Sequence, residues 1–318
     1  MTSAPPPAWH STVPTRAELA ELEALAVRLA VETGRIVHEG RPDDLASTAA
    51  TKSSATDPVT VMDTRAEAYL RRALRELRPD DGLLGEEGSA FASTTGLTWV
   101  IDPIDGTTNY LYDLPLYAVS VAVVVGDPTT QGAWHPVAGA VRAPALDITW
   151  SAQLQGGARR LGPARRLRPT GDTEPTPSAP ARVGSGADLA SALIGTGFGY
   201  RPQQRHDQAQ VLTRVLPRVR DVRRMGSAAI DLCLVADGRL DGYFEAGLNP
   251  WDLAAGWLIV TEAGGIVTGA EGGPPGAGLV VAANPVLHEA LQGVLEGARE
   301  GVLPDVSRDG AAGGAPLG

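Results

Sequence analysis

The 318-residue chain contains little cysteine and lysine, and it has no apolar run long enough to cross a membrane. Its single cysteine, Cys233, cannot form an internal disulfide or supply a cysteine-rich zinc site, so we expect a reducing compartment. The longest apolar run, Tyr117 to Val125, is too short for a transmembrane helix. Residues Met1 to Pro14 lack the basic and apolar pattern of a signal peptide. These absences predict a cytoplasmic protein with no membrane partner.

Basic residues are outnumbered by acidic ones, 27 to 37, which gives a formal net charge of -10. Because binding to a polyanion depends on a surplus of Lys and Arg, nucleic acid is not an expected partner. Lys52 is the only lysine, and the other basic residues are all arginine. A genomic bias toward arginine explains the arginines. Lys52 therefore either has a specific role or is present by coincidence.

Both ends of the chain are rich in Pro, Gly and Ala, which predicts disordered tails on one folded domain. A Pro- and Thr-rich stretch, Pro169 to Pro180, indicates an exposed loop that divides this domain into two parts. The predicted segments are a tail at 1–15, a domain at 16–302 with sub-domains at 16–168 and 181–302, and a tail at 303–318.

Apolar spacings of three and four residues predict helices at Arg16 to Glu39 and at Thr64 to Leu77. The second is expected to start at a capping box made by Thr64 and Glu67 and to stop at Pro79. Helices and strands alternate through the chain, which predicts stacked α/β layers. Further helices are predicted at 204–219, 227–236 and 251–263, and strands at 98–101, 118–125, 137–141, 192–196 and 242–244.

The segment Trp99 to Asn109, WVIDPIDGTTN, carries the clearest chemical signal. An apolar strand leads into two carboxylates, Asp102 and Asp105, followed by Gly-Thr-Thr. Carboxylates at the end of a buried strand are costly to desolvate without a cation, and sulfur-free oxygen ligands favour Mg²⁺. Gly106 would let neighbouring backbone N–H groups approach a phosphate. An Asp-Gly turn closed by local hydrogen bonds is the alternative for this segment taken alone.

Two further acidic segments lie upstream of this one. Gly85 to Gly88, GEEG, places Glu86 beside glycine, and Asp57 to Asp63, DPVTVMD, ends on an acid before a helix. Taken singly, Glu86 is equally consistent with a solvated loop acid. Asp63 is equally consistent with an acid that favours the positive end of its helix.

Downstream, the segment Asn249 to Gly265, NPWDLAAGWLIVTEAGG, has the pattern of a buried helix. Asn249 is the expected N-cap, Pro250 the first helical residue, and the final glycines stop the helix. Asp252 is the only charged side chain in the first turns. Asp252 either caps this helix or binds a ligand.

Together, Glu86, Asp102, Asp105 and Asp252 place four acids beside Gly or Pro turns. In this arrangement the chain resembles the inositol monophosphatase family, which with fructose-1,6-bisphosphatase belongs to the lithium-sensitive, magnesium-dependent phosphatases. The resemblance rests on GEE, WVIDPIDGTTN, NPWDLAAGWLIVTEAGG and DPVTVMD in order, and it covers about residues 18–300. It implies an αβαβα sandwich and a homodimer. The departure from the family pattern lies in the middle region, where Gly156 to Pro163 follows the family's glycine-rich hairpin only loosely and a Pro-rich loop comes after it.

The resemblance implies a site for two Mg²⁺ ions, or three. One ion would be held by Glu86, Asp102 and the backbone carbonyl of Ile104. A second would be shared by Asp102, Asp105 and Asp252. Cations bridged by a carboxylate stabilise both the attacking and the leaving oxygen of an in-line displacement.

The resemblance also implies hydrolysis by a metal-activated water, whose proton is drawn toward Glu86 or Thr107, without a covalent phosphoenzyme. Asp63 would hydrogen-bond Thr107, and the N–H groups of Gly106 and Thr107 would hold phosphate oxygens. Lys52 matches a family lysine near the metal loop, where a compact ammonium group and a guanidinium are not equivalent.

A third implication concerns the wall that contacts the substrate. Glu245 matches an acid that binds sugar hydroxyls, while Arg223 and Arg224 would lie near the site or the dimer contact, or form a solvated pair. The residues expected to contact the substrate are Asp105, Gly106, Thr107, Gly195, Thr196, Ala228, Glu245 and Asp252.

The predicted function is therefore Mg²⁺-dependent hydrolysis of inositol 1-phosphate or a similar polyol phosphate. Histidinol-phosphate phosphatase and fructose-1,6-bisphosphatase activities use the same ligands, because substrate choice depends on the wall opposite the phosphate. A regulatory protein with a decayed site is the alternative of another class. A decayed site should lack a ligand, and Glu86, Asp102, Asp105, Thr107 and Asp252 are all present.

Overall fold

The computed structural model describes residues 13–43, 45, 50–51, 58–162, 179–186 and 188–299. Lys52, the predicted tail at 303–318 and most of the predicted tail at 1–15 lie outside these residues, as does most of the Pro169 to Pro180 stretch. Within the described ranges, no helix is both long and apolar enough to cross a membrane.

Helices form where the sequence repeats apolar residues at helical spacing between capping residues. The first helix has the predicted bounds, and Thr15 caps it through a capping box with Glu18. The principal helices of the described residues are α1 (Arg16–Glu39), α2 (Val61–Leu77), α3 (Thr107–Leu111), α4 (Pro202–Val215), α5 (Ala228–Ala236), α6 (Pro250–Glu262) and α7 (Pro285–Arg299).

The strands form two large sheets and one small pair. The described strands are β1 (Ala50–Thr51), β2 (Pro58–Val59), β3 (Gly82–Gly85), β4 (Ala90–Phe91), β5 (Leu97–Asp105), β6 (Ala118–Gly126), β7 (Trp134–Ala143), β8 (Ile148–Gln153), β9 (Gly157–Leu161), β10 (Ala179–Pro180), β11 (Leu193–Thr196), β12 (Asp221–Arg223), β13 (Gly242–Glu245), β14 (Ile266–Thr268) and β15 (Val280–Ala283). The eight-stranded sheet has the order β10-β9-β8-β7-β6-β5-β3-β4, and the five-stranded sheet has the order β12-β11-β13-β15-β14. In the eight-stranded sheet β3 and β5 are parallel, and in the five-stranded sheet β11 is parallel to both β12 and β13.

Helices cover both sheets and separate them. α1 and α2 pack on one face of the eight-stranded sheet. α5 and α6 fill the space between its other face and the five-stranded sheet. α4 and α7 cover the far face of the five-stranded sheet. The resulting order of layers, α-β-α-β-α, confirms the predicted fold.

The long apolar run in β6 follows from this layering. Val119, Val121 and Val123 pack toward α1 and α2, while Ala122 and Val124 pack toward the middle helices. A strand buried on both faces needs apolar residues at every position instead of every second one. The run is therefore a central strand of the sheet.

The predicted start of α2 was wrong by three residues. Its N-cap is Thr60, whose hydroxyl oxygen accepts a hydrogen bond from the Met62 N–H at 3.1 Å. The capping box is completed by Asp63, which accepts from the Thr60 N–H at 2.8 Å. Two Thr-x-x-acid patterns lie four residues apart here, at Thr60 and Thr64, and sequence alone does not choose between them.

The observed bounds of two other elements differ from the predicted bounds for local reasons. The predicted helix at 204–219 ends at Val215, where a 3₁₀ turn at Leu216–Arg218 contains a proline. The predicted strand at 98–101 continues through Pro103 to Asp105. That extension positions the candidate site.

Candidate active site

A bulge in β5 turns Asp102 and Asp105 to the same side of the sheet. Asp102 pairs with Ser120 and Asp105 with Ala118, so three steps in β5 match two steps in β6. Residues three apart in a regular strand point to opposite faces, and one extra residue reverses this. Ser120 and Ala118 are two apart and share a face. Their partners therefore share a face as well.

Parallel pairing brings Glu86 to the same edge. β3 runs parallel to β5, with Gly85 opposite Ile101, and the Glu86 N–H donates to the Ile101 carbonyl at 3.2 Å. Because parallel strands end at one edge of a sheet, the side chain after β3 lies near the carboxylates in the last residues of β5.

Glu67 anchors the loop that carries Glu86. Since the helix is capped at Thr60, Glu67 is not a capping residue, contrary to the prediction. Its two carboxylate oxygens accept from the N–H groups of Glu87 at 2.7 Å and Ser89 at 2.9 Å. Glu67 is thus a positioning residue that sequence reasoning misassigned.

Asp252 completes an acidic cluster from the start of α6. One carboxylate oxygen from each of Asp102, Asp105 and Asp252 lies within 4.8 Å of the others. Asp252 also accepts from the Asn249 N–H at 2.7 Å, so it caps the helix and joins the cluster. The Ser120 hydroxyl donates to the Trp251 carbonyl at 3.1 Å, which ties the start of α6 to β6.

The electrostatics of this cluster fit a divalent cation. Burial and then repulsion by Glu86 raise the pKa of Asp102, and the same two causes raise that of Asp252. Burial raises the pKa of Asp105 to about 6, although hydrogen bonds from Ser227 and Ala229 oppose the rise. Among the described residues, no Lys, Arg or His forms an ion pair with Asp102, Asp105 or Asp252. Asp102 and Asp105 are buried and Asp252 is partly buried, and desolvated carboxylates without such partners are expected to bind a cation.

Asp105 is held in place by the start of α5. The Ser227 hydroxyl donates to its Oδ2 at 2.6 Å, and the Ala229 N–H donates to the same oxygen at 2.7 Å. Ser227 also caps α5 by accepting from the Ile230 N–H. Sequence reasoning missed Ser227, although a serine directly before an apolar helical run is a signal for an N-cap.

The Thr107 hydroxyl lies between a carboxylate and a backbone carbonyl. It is within hydrogen-bond distance of Asp63 Oδ1 at 3.2 Å and of the Ile104 carbonyl at 2.9 Å. Thr107 is 5 % exposed and Asp63 is fully buried. The predicted contact between Asp63 and Thr107 is therefore present, at the end of β5.

Gly106 allows the tight turn between β5 and α3. Its φ is +94°, in the left-handed region that favours glycine. A side chain at this position would begin 3.0 Å from the Leu116 carbonyl oxygen and 3.1 Å from that of Gly226. The Asn109 side chain donates to the Leu116 and Met225 carbonyls, which closes the same turn.

A cavity of about 900 Å³ opens over the cluster. Of the predicted substrate contacts, Gly195 lies in β11 beside Leu240 and Asp231, one residue before Thr196. Arg224 lines the cavity, and Arg223 forms an exposed ion pair with Asp221 at 2.6 Å. The predicted site residues that line the cavity are Glu86, Asp102, Ile104, Asp105, Gly106, Thr107, Thr196, Ala228, Glu245 and Asp252.

Two acids stand on the wall away from the cluster. Glu245 accepts a hydrogen bond from the Tyr243 hydroxyl, and burial raises the pKa of Glu245 to about 7. Burial and then repulsion by Glu245 raise the pKa of Asp231 to about 9. Glu245 was predicted from the sequence as a site residue, and Asp231 was not.

Known proteins resemble this chain over most of its length. The sequence profile described as "Inositol monophosphatase family" matches residues 18–300. "Inositol-1-monophosphatase SuhB" of Mycobacterium tuberculosis is 44% identical over 293 residues, covering 88% of this chain and 94% of that protein. "Nus factor SuhB" of Pasteurella multocida is 35% identical over 274 residues, covering 84% and 93%. The solved structure "Mycobacterium tuberculosis SuhB" has a TM-score of 0.70 at 39% identity, covering 88% of this chain and 97% of that one.

Proposed function

Since the chain belongs to the inositol monophosphatase family, we propose that it is a Mg²⁺-dependent phosphomonoesterase that acts on inositol 1-phosphate or a similar polyol phosphate. The observation that carries this proposal is the convergence of Asp102, Asp105 and Asp252 in the lining of a large cavity. Phosphate esters are anions, and bound cations would offset their repulsion by the carboxylates that line this cavity.

The residues that would hold Mg²⁺ are Glu86, Asp102, Asp105, Asp252 and the Ile104 carbonyl. When bound, Mg²⁺ lowers the pKa of a water ligand and neutralises charge on the phosphoryl oxygens. The chain supplies rigid positions for these ligands, through the β5 bulge and the hydrogen bonds to Asp105.

Thr107 and Asp63 supply the proton path in this proposal. The hydroxyl of Thr107 contacts the buried carboxylate of Asp63, so a proton that reaches Thr107 has an acceptor behind it. Gly106 and Thr107 line the cavity, and their backbone N–H groups would hold phosphate oxygens. The left-handed φ of Gly106 allows the turn that places these two residues there. Glu245 would contact hydroxyl groups of the alcohol.

Phosphate release is the direct test of this function. We expect release from inositol 1-phosphate to exceed release from histidinol phosphate and fructose 1,6-bisphosphate, to need Mg²⁺ and to stop with EDTA. Added Li⁺ should inhibit it, as the family resemblance implies. Stronger release from another ester would keep the chemistry and change the substrate. No release from any ester by protein that binds Mg²⁺ would contradict the proposal.

Stabilisation by Mg²⁺ should depend on pH with a definite sign. The pKa values of Asp102, Asp105 and Asp252 in the folded protein are raised from their ordinary value of 3.8. At pH values above about 4, the folded protein therefore binds more protons at these groups than the unfolded chain does. The metal-free protein therefore loses stability as the pH rises from about 4 through the folded pKa values. Mg²⁺ needs the ionised carboxylates, so its stabilising effect grows over the same range.

We expect excess Mg²⁺ to raise Tm by several degrees at pH 8 and by little at pH 5, below the pKa of about 6 for Asp105. Differential scanning calorimetry with Mg²⁺ or EDTA measures both values. An equal shift of Tm at the two pH values would show that Mg²⁺ binding does not involve the carboxylates whose pKa values are raised.

A regulatory role is the second candidate function, and the relative named Nus factor SuhB favours it. Because this chain keeps each predicted metal ligand, we propose that any such role is additional to catalysis. We further propose that the protein is a homodimer, as the family resemblance implies, and that it is located in the cytoplasm. Sedimentation velocity of the purified chain tests the oligomeric state.

A further inference from the structure

The cavity wall away from the acidic cluster includes two carboxylates, Asp231 and Glu245. A side chain at Gly197 would begin 1.9 Å from Glu245 Oε2, so this carboxylate occupies the space that such a side chain would need. Asp231 Oδ1 lies 3.3 Å from where a side chain at Gly195 would begin, and the Leu240 side chain is nearer, at 2.8 Å. Asp231 comes from α5 and Glu245 from β13, so the two acids reach the wall from different elements.

Asp231 lowers the stability of the folded protein. It is 1 % exposed, and within the described part of the chain its Oδ1 has no hydrogen-bond partner. The other residues of α5 are apolar, in the order AAIDLCLVA. A buried carboxylate oxygen without a donor destabilises a protein, and an uncharged residue in its place would remove that cost. Asp231 thus has no evident role in folding.

The position of Asp231 fits contact with the alcohol part of a bound ester. Ser227, which contacts Asp105, and Asp231 are four residues apart at the start of α5, so they lie on one face about one helical turn apart, roughly 6 Å. Asp231 also lines the cavity. A phosphoryl group near Asp105 would therefore direct its alcohol toward Asp231 and Glu245.

We propose that Asp231 is a specificity-determining residue that, together with Glu245, hydrogen-bonds two hydroxyl groups of the leaving alcohol. This inference rests on the proposed phosphatase function and adds a second recognition group for a polyhydroxylated alcohol. A site built to hydrogen-bond a hydroxyl discriminates against esters that lack it, because its polar groups then stay unpaired.

The surroundings favour hydroxyl groups over an ammonium group. Arg224 also lines the cavity, and its charge acts on both Asp231 and Glu245, so the wall is not purely anionic. Burial raises the pKa of Asp231 to about 9, so this carboxyl keeps its proton at neutral pH. A protonated carboxyl both donates and accepts, as a hydroxyl does, whereas an ammonium group only donates.

The test compares Asp231→Ala and Asp231→Asn with the parent protein. The measured quantity is the ratio of kcat/KM for inositol 1-phosphate to that for p-nitrophenyl phosphate, whose alcohol carries no free hydroxyl. We expect this ratio to fall about tenfold or more in Asp231→Ala, mainly through KM, and Asp231→Asn to restore part of it because an amide still donates and accepts. Glu245→Gln should lower the same ratio.

A control and a stability measurement separate recognition from folding. Glu289→Ala removes an exposed acid on α7 and should leave the ratio at the parent value. Tm should rise by a few degrees in Asp231→Asn, whereas replacing a residue needed for folding would lower Tm.

A ratio equal to that of the parent in Asp231→Ala would overturn the proposal, and so would an equal fall in kcat/KM for both esters. A larger loss for histidinol phosphate than for inositol 1-phosphate would overturn the assignment to hydroxyl groups.

Failure of the proposed function itself is distinguishable. If the parent hydrolyses neither ester with Mg²⁺, the phosphatase proposal fails. The role of Asp231 is then decided by calorimetric binding of inositol 1-phosphate to the parent and to Asp231→Ala. Weaker binding to the variant would support the recognition role, and equal binding or no binding to the parent would overturn it.

Discussion

We expect Asp105→Asn to lower Mg²⁺-dependent phosphate release by about a thousandfold, since several kcal/mol of charge stabilisation corresponds to that factor in rate. Asp105 lies in the acidic cluster with Asp102 and Asp252, and its Oδ2 accepts hydrogen bonds from Ser227 and Ala229. The amide of Asn keeps one oxygen as an acceptor for those two donors but removes the negative charge and replaces the second oxygen with an NH₂ group, which cannot bind a cation. The loss should therefore appear in Mg²⁺ affinity and turnover while the fold persists.

Steady-state phosphate release and titration calorimetry with Mg²⁺ measure this effect. Asp80→Asn is the matched control, because Asp80 is exposed on the surface before β3 and should keep the parent values. Parent-like turnover in Asp105→Asn would refute the assignment of Asp105 as a metal ligand. A large fall in Tm without loss of Mg²⁺ affinity would assign Asp105 a purely structural role.

The second large effect is expected at Thr107. Thr107→Val keeps the shape of the side chain and removes the hydroxyl that contacts Asp63 and the Ile104 carbonyl. If this hydroxyl transfers or positions a proton, kcat should fall by about 10²- to 10⁴-fold, the usual size of a general acid–base contribution. Thr107→Ser retains the hydroxyl and should keep most of the activity.

The pair of variants at position 107 separates chemistry from stability. Removing a buried hydroxyl that donates a hydrogen bond costs about 1–3 kcal/mol, so Tm of Thr107→Val should fall as well. Turnover is therefore measured at a temperature where both variants are folded. A Thr107→Val enzyme with the kcat of the Thr107→Ser enzyme would show that the hydroxyl takes no part in the reaction.

The sequence predicted helices and site segments best where the signal is local. α1 has the predicted bounds, because a threonine cap, a regular apolar stripe and a final glycine all lie within its own segment. Asn249 and Pro250 likewise start α6 as predicted. For α2, by contrast, two consecutive cap patterns compete, one at Thr60 and one at Thr64. The choice of Thr60 depends on Asp63 being buried beside Thr107, a contact 44 residues away in sequence.

Site residues whose role depends on contacts with a distant segment were not predicted from the sequence. Ser227 looks like an ordinary N-cap in the sequence, and only its contact with Asp105 links it to the site. Asp231 looks like a polar residue in an apolar helix. Its importance depends on Gly195 and the cavity, which lie on other elements.

The sequence by itself determined the family, the αβαβα fold and the identities of the candidate metal ligands, because its long signatures are contiguous and specific. Tertiary structure alone decided how these ligands meet. The β5 bulge turns Asp102 and Asp105 to one side, parallel pairing brings Glu86 to the same edge, and the packing of α6 on the sheet adds Asp252. The physical reason is that a carboxylate's partners and desolvation depend on strand register and on layers assembled from distant segments, which local residue patterns do not encode.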